Sequence, residues 1–292
     1  MKKSLIHERI FAEISEVVPT IGYFMDQETL NDYNKFVDKD YKGLSALKPF
    51  RFDEEKGEVV GSNIPGKILL FNEFLKPAGY EMSGLQKLED ARVMHKRNPA
   101  IGLDTSGYCY VDTGIVVKKD TERTADIVEQ IRKRDPKLAK LKVPVAINLD
   151  GLEVRVGGKL DGVSYVLTDR TQLYEAPEYA GNNKLFNRVE NGRPIVQEQG
   201  SRTVWNNAGL DISGLCLFYG NLDIDSSNDD LADSDEAGRV VLVRGEADNA
   251  KILQEYIAKQ NANLQELRGK LKTRYQSGLK EIESLAQRLG VK

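Results

Sequence analysis

Apolar and polar positions alternate most regularly between Val143 and Pro177, in VPVAINLDGLEVRVGGKLDGVSYVLTDRTQLYEAP. Period-two alternation is the pattern of a half-buried strand. Asp-Gly between such runs signals a hairpin, because both central residues of a type I′ turn need φ > 0. Asp150-Gly151 and Asp161-Gly162 supply two such turns, and the pattern predicts a four-stranded antiparallel meander. A two-residue turn at Asp150-Gly151 sets Leu149 opposite Leu152, Ile147 opposite Val154 and Val145 opposite Val156. The turn at Asp161-Gly162 sets Leu160 opposite Val163, Gly158 opposite Tyr165 and Val156 opposite Leu167. A three-residue turn, Asp169-Arg170-Thr171, then sets Leu173 opposite Leu167. Val145, Ile147, Val154, Val156, Tyr165 and Leu167 are therefore expected on one buried face, with Arg155 and Ser164 on the other. Gly157-Gly158 is the place where a bulge could form.

Helical periodicity lies on both sides of this stretch. Ser4 caps a helix carrying Ile6, Ile10, Ile14 and Val17, ended by Pro19, and Asp26 caps a second through Leu30, Tyr33 and Val37. The apolar run at 67–75 is either a strand or a buried helical turn, and periodicity leaves both open. Ser83 and Gln86 read as a capping box for a helix with Leu85, Leu88 and Arg92, ending near Asn98-Pro99. Residues 108–117 read as a strand broken at Gly114. Asp120 then caps a helix whose Thr124, Ile127, Val128 and Ile131 form an apolar stripe, ended at Asp135-Pro136 and placed to cover the meander. Asn191-Gly192 signals a further hairpin, and 215–224 and 239–244 read as two more strands around an acidic loop.

From Ala247 to Leu289 helix formers dominate, and Leu253, Ile257, Leu264, Leu267, Leu271, Tyr275, Leu279, Ile282, Leu285 and Leu289 form a seam. Gln260 interrupts it, and the two four-residue steps at Leu271, Tyr275 and Leu279 drift from a strict heptad. Such a helix would be roughly 64 Å long, with Gly269 and Gly278 as weak points. One apolar stripe of that length needs a partner. The expected fold is thus α+β: an antiparallel β-meander core covered by helices, with a long C-terminal α-helix. The expected division is a globular domain over 1–245 (N-terminal helices at 4–40, sheet core at 108–177, further strands at 215–244) and a coiled-coil-like helix over 246–292.

Composition narrows the setting. At 292 residues, 40% hydrophobic and 30% charged, the chain has ample material for a core, and this balance is that of a soluble globular protein. A formal net charge of −3 gives no overall pull toward nucleic acid or membrane. No apolar run approaches the roughly 18 residues of a membrane span. Glu8, Arg9, Glu13 and Glu16 interrupt any signal-peptide core. Cys109 and Cys216 lie far apart in unlike contexts, which argues against a disulfide framework or a cysteine zinc site. The expectation is an intracellular protein, cytoplasmic or, if virally encoded, part of a virion.

Four features bear on chemistry. Val156-Gly157-Gly158-Lys159-Leu160-Asp161-Gly162, followed by Leu173-Tyr174-Glu175, resembles the PD-(D/E)xK nuclease pattern. That resemblance implies a metal held by Asp161 and Glu175, with Glu129 of the preceding helix as a third acid. Pro177 stands where the family has its catalytic lysine, so Lys184 would have to reach back. Lys159-Leu160-Asp161-Gly162 also resembles the KxDG core of nucleotidyltransferases, without the later motifs. Arg132, Lys133, Arg134, Lys137, Lys140 and Lys142 could contact phosphates by charge, or serve as a solvated helix end. Asp225, Ser227, Asp229, Asp233 and Glu236 fall at EF-hand-like positions, with Asp225, Asp229 and Glu236 as the metal candidates, but Asp230 stands where Gly is required. His7 and His95 show no metal spacing, and Trp205 reads as a partly buried anchor. No turn matches a P-loop or a Rossmann fingerprint, and no cofactor is expected.

The function expected from these patterns is non-enzymatic: an assembly or interaction protein, such as a multi-copy viral structural component. It would oligomerise or dock on a partner protein through Leu253, Ile257, Leu264, Leu267, Leu271, Tyr275, Leu279 and Ile282. A metal-dependent nuclease is the alternative.

Overall fold

The computed structural model describes residues 21–97, 109–218, 220–234 and 236–244, together with Tyr275. The expected Ser4 helix, and the C-terminal seam except for Tyr275, lie outside the described residues. In chain order the elements are β1 (Ile21–Tyr23), α1 (Gln27–Asp40), β2 (Arg51–Asp53), β3 (Glu58–Val60), α2 (Ile64–Leu70), β4 (Tyr80–Met82), α3 (Leu85–Arg97), β5 (Tyr110–Val117) and α4 (Ala125–Arg134). They continue with β6 (Val145–Asn148), β7 (Leu152–Leu160), β8 (Val163–Leu167), β9 (Leu173–Glu175), β10 (Lys184–Glu190) and β11 (Arg193–Gln197). The last four are β12 (Arg202–Asn206), β13 (Ile212–Phe218), β14 (Ile224–Ser226) and β15 (Val241–Arg244).

The principal sheet has eight strands in the order β11-β10-β12-β14-β13-β5-β6-β9. All its pairs are antiparallel except β12 with β14, which is parallel. A three-stranded sheet runs β1-β15-β4, and β2-β3 and β7-β8 are separate two-stranded pairs. With fifteen strands to four α-helices among the described residues, the body is predominantly β. The α+β fold built on one antiparallel meander is therefore overturned.

The reason lies at Asp150-Gly151. Leu152 N donates to Leu149 O across this turn at 3.1 Å, but only Gly151 has a positive φ, +85°. A turn positive at its second central residue alone is not I′, and turns of type I or II splay the flanking strands. Gly151 O also accepts from the Thr168 and Thr171 hydroxyls, at 2.6 and 2.7 Å. That lock draws β7 away from the sheet. β6 pairs instead with β5 and β9, so that Ile147 faces Leu173 rather than Val154, and Leu173 does not meet Leu167.

At Asp161-Gly162 both φ values are positive, +56° and +83°, and Leu160 faces Val163 as expected. Beyond that pair the register slips, because Val156 also faces Val163. Gly157, Gly158 and Lys159 form the excursion, with Gly157 N donating to Gly162 O at 2.8 Å. A Cβ on Gly158 would lie 1.9 Å from Val163 O, so glycine is required there. The bulge puts Tyr165 opposite Val154. It also turns Val156 to solvent, 58% exposed, where the regular register expects it buried.

β5 and β6 are buried on both faces, which explains their nearly continuous apolar sequence. Ile115, Val117, Val145 and Ile147 belong to one core with α1, α2, α4 and the β7–β8 hairpin. Val116 and Ala146 point into the other, with Leu88 of α3 and Val241 and Val243 of β15. The hairpin thus covers a face of the sheet instead of extending it. α4 packs along β8, where the Gln130 amide donates to Tyr165 O and accepts from Leu167 N, both at 2.8 Å.

Local signals fare unevenly. Asp26 caps α1 through Glu28 N and Thr29 N, and Asn191-Gly192 is a tight hairpin with both φ positive. The 67–75 run is helical: α2 is buried throughout and continues into one π-turn, Phe71–Leu75. Ser83 and Gln86 form no capping box, since Ser83 donates to Val241 O and Gln86 accepts from Gly192 N. α4 starts at Ala125, not at Asp120. β5 runs unbroken through Gly114, with a bulge against β13 in place of the expected break. The expected 215–224 strand is two, β13 and β14.

Candidate functional site

The nuclease-like residues are distributed over separate elements. Asp161 lies in the β7–β8 turn, whereas Glu175 is exposed on edge strand β9, opposite Val145. Glu129 on α4 pairs with Arg132 and Lys133 at 2.5 and 3.7 Å. Lys184 Nζ donates to Pro177 O. Partial burial raises the Asp161 pKa above its ordinary value, and Asp230 adds to the effect while Arg123 opposes it. The split at Asp150-Gly151 places Asp161 and Glu175 in different sheets. Lys159, the KxDG lysine, pairs with Glu122 at 3.0 Å.

The acidic loop follows the same logic. Asp225 accepts from Ser227 N and Oγ, both at 2.6 Å. Asp229 pairs with Arg123 at 2.8 Å, and Glu236 with Arg51 at 3.2 Å. Asp233 accepts from Asn228. Among the described residues no three His, Cys, Asp or Glu side chains are grouped to hold a metal. In the basic run, Arg132 also meets Asp120 at 3.3 Å, and Arg134 donates to Thr168 O and Asp169 O. Lys137, Lys140 and Lys142 are exposed. Cys109 and Cys216 are not joined in a disulfide, and burial pushes the Cys109 pKa up. No helix among the described residues is long and apolar enough to cross a membrane.

Several buried charges escaped the sequence reading. Lys67, fully buried in α2, donates to Asp112 O at 2.5 Å. Desolvation lowers its pKa to about 8, against the opposing pull of Asp112. Glu89 on α3 takes Arg202 of β12 at 2.9 Å and Arg92 at 2.6 Å, pinning the helix to the sheet. Arg202 also lies 4.3 Å from the Phe186 ring centroid. Glu178, 4% exposed at its side chain, takes Arg193 through both carboxylate oxygens. The Glu89–Arg92 spacing was a local hint. For the other pairs the partners lie too far apart in sequence to give one.

The four-stranded wing β11-β10-β12-β14 presents large apolar side chains to solvent. Trp205 is 42% exposed and Leu185 38%. Leu185 faces Thr203, two residues from Trp205, so the two apolar groups are diagonal neighbours on one face. The indole is fixed there, donating to Asp223 Oδ2 at 2.8 Å. Asp223 itself is held by Thr203 N and Asn221 Nδ2, both at 2.7 Å. A rigid aromatic backed by a hydrogen-bonded carboxylate suits an interaction anchor. No family model matches this chain, and neither does any curated protein or any solved structure.

Proposed function

We propose that the protein is a non-enzymatic assembly component that works by associating with further copies of itself. The observation that carries this reading is the Trp205–Leu185 pair, two large apolar groups held on a solvent-facing sheet surface. The recurrence of apolar residues every three or four positions over 247–289 of the sequence supports it, since an apolar seam of that length favours association. The acids and lysines that suggested chemistry are largely engaged in turns and ion pairs, which fits a body built for presentation. A multi-copy structural component, viral or intracellular, is the natural setting.

The test is the molar mass in solution of the full chain. A multiple of 32.7 kDa is expected. Leu267→Asp, which puts a charge in the seam, should lower it toward one copy. Trp205→Ala should weaken association about tenfold, as removal of an aromatic anchor does. A wild-type protein of one-copy mass at high concentration would overturn the proposal.

A further inference from the structure

We infer that a cleft against the principal sheet binds a small hydroxylated carboxylate, with the chemistry of a sugar acid. The cleft has a volume of about 340 Å³, near the lower end of the ~300–1,000 Å³ common for small-molecule sites. The loop entering α3, the Asn191-Gly192 tip and the turn at Arg170 line it. Thr113 and Leu215 lie at its floor. Thr113 is the excess residue of the β5 bulge: Leu215 faces Gly114 and Cys216 faces Asp112. Its hydroxyl donates back to Leu215 O at 3.1 Å. A bulge bends the strand that carries it, and bulges recur beside functional sites.

The charges around the cleft select the ligand. Lys76 pairs with Asp150 at 2.8 Å and Lys87 with Glu81 at 2.5 Å, so these four cancel. Arg170 is exposed and, among the described residues, has neither an ion pair nor a hydrogen-bond acceptor. A guanidinium grips a carboxylate through two parallel hydrogen bonds.

The neutral groups call for hydroxyls. Asn148 Nδ2 donates to Gln172 Oε1 at 2.8 Å, which leaves Asn148 Oδ1 to accept and Gln172 Nε2 to donate. A hydroxyl does both at once and matches such an amide pair. Tyr174 lines the same cleft, and burial, with Glu178 adding to it, pushes its pKa up to about 12, so it remains a donor. Gln86 is committed elsewhere: it accepts from Gly192 N and donates to Asp90, which fixes the hairpin tip against α3. A neutral sugar would leave Arg170 unused, and a bare carboxylate would leave the amides unused.

The experiment titrates the full chain by calorimetry with four probes: D-glucuronate, D-glucose, acetate and inorganic phosphate. One saturable glucuronate site is expected, at least tenfold tighter than the site for any other probe. Arg170→Gln should weaken glucuronate at least tenfold while leaving the melting temperature unchanged, because Arg170 holds no partner in the fold. Gln172→Ala should weaken it several-fold, a contribution that charge alone would not supply. The inference is overturned if glucuronate shows no saturable binding, if acetate or phosphate binds as tightly, or if folded Arg170→Gln binds as the wild type does. The outcome is independent of the chain's molar mass, so it stands or falls apart from the assembly proposal.

Discussion

Asp150-Gly151 and Asp161-Gly162 are the same dipeptide, eleven positions apart, each between apolar strands. One closes a hairpin and the other parts two sheets. At Asp161-Gly162 both residues are left-handed, which matches the twist of paired strands. At Asp150-Gly151 only the glycine is, and its carbonyl is clamped by two threonine hydroxyls from the turn after β8. Asp150 is meanwhile held by Lys76 at 2.8 Å. The dipeptide permits a hairpin, and the contacts made by its backbone decide whether one forms. The consequence reaches the chemistry, because the parting leaves Asp161 and Glu175 on different sheets.

Substitutions at the two turns should therefore differ in cost. Gly151→Ala should be the most damaging: the residue has φ +85°, and a Cβ would lie 2.7 Å from Thr171 N and 2.8 Å from Arg170 C. A loss of about 3 kcal/mol or more is expected, the range of strained or overpacked sites, read as a fall in the urea midpoint.

Thr171→Val keeps the shape and removes the hydroxyl that donates to Gly151 O and accepts from Thr168 N at 2.9 Å. It should cost about 1–3 kcal/mol, as does a buried polar group left unsatisfied. If the clamp holds the sheets apart, amides of β7 should also exchange faster.

Gly162→Ala should cost less, about 1–2 kcal/mol for a left-handed alanine. Its nearest obstacle is the flexible tip of Leu44, at 3.4 Å. Equal losses at Gly151 and Gly162 would show that φ alone matters and that the clamp is incidental.

The smallest effect should be Asp161→Asn, and its sign is informative. The folded-state pKa is raised, chiefly by burial and then by Asp230. The aspartate therefore favours the folded state when protonated and loses that contribution as pH rises through its folded pKa. The asparagine variant should be slightly more stable near neutral pH, with the gain vanishing at about pH 3, below the unfolded value. Asparagine also accepts the left-handed φ. A gain of the same size at both pH values would show that the charge plays no part.

What could be read in advance was local. The Asp26 cap, the Asn191-Gly192 turn and the last pair of the β7–β8 hairpin each depend on residues within a few positions. Gly157-Gly158 marked the bulge, but not that three residues would leave the register and expose Val156. The partners of β6 could not be read, because a strand that is apolar on both faces fits any buried neighbour. β5 and β9 won through long-range packing. The buried charges were hidden for a related reason: Lys67 meets Asp112 across 45 positions and Glu89 meets Arg202 across 113. Trp205 was read as a partly buried anchor, and nothing near it indicated the Leu185 beside it.

The most direct test of the parting at Asp150-Gly151 is the set of cross-strand nuclear Overhauser contacts made by the Ile147 and Ala146 backbone. Contacts from Ile147 to Leu173 and from Ala146 to Tyr174 are expected, with none from Ile147 to Val154. Contacts from Ile147 to Val154, with those to Leu173 missing, would restore a continuous meander and contradict the separation of the two sheets.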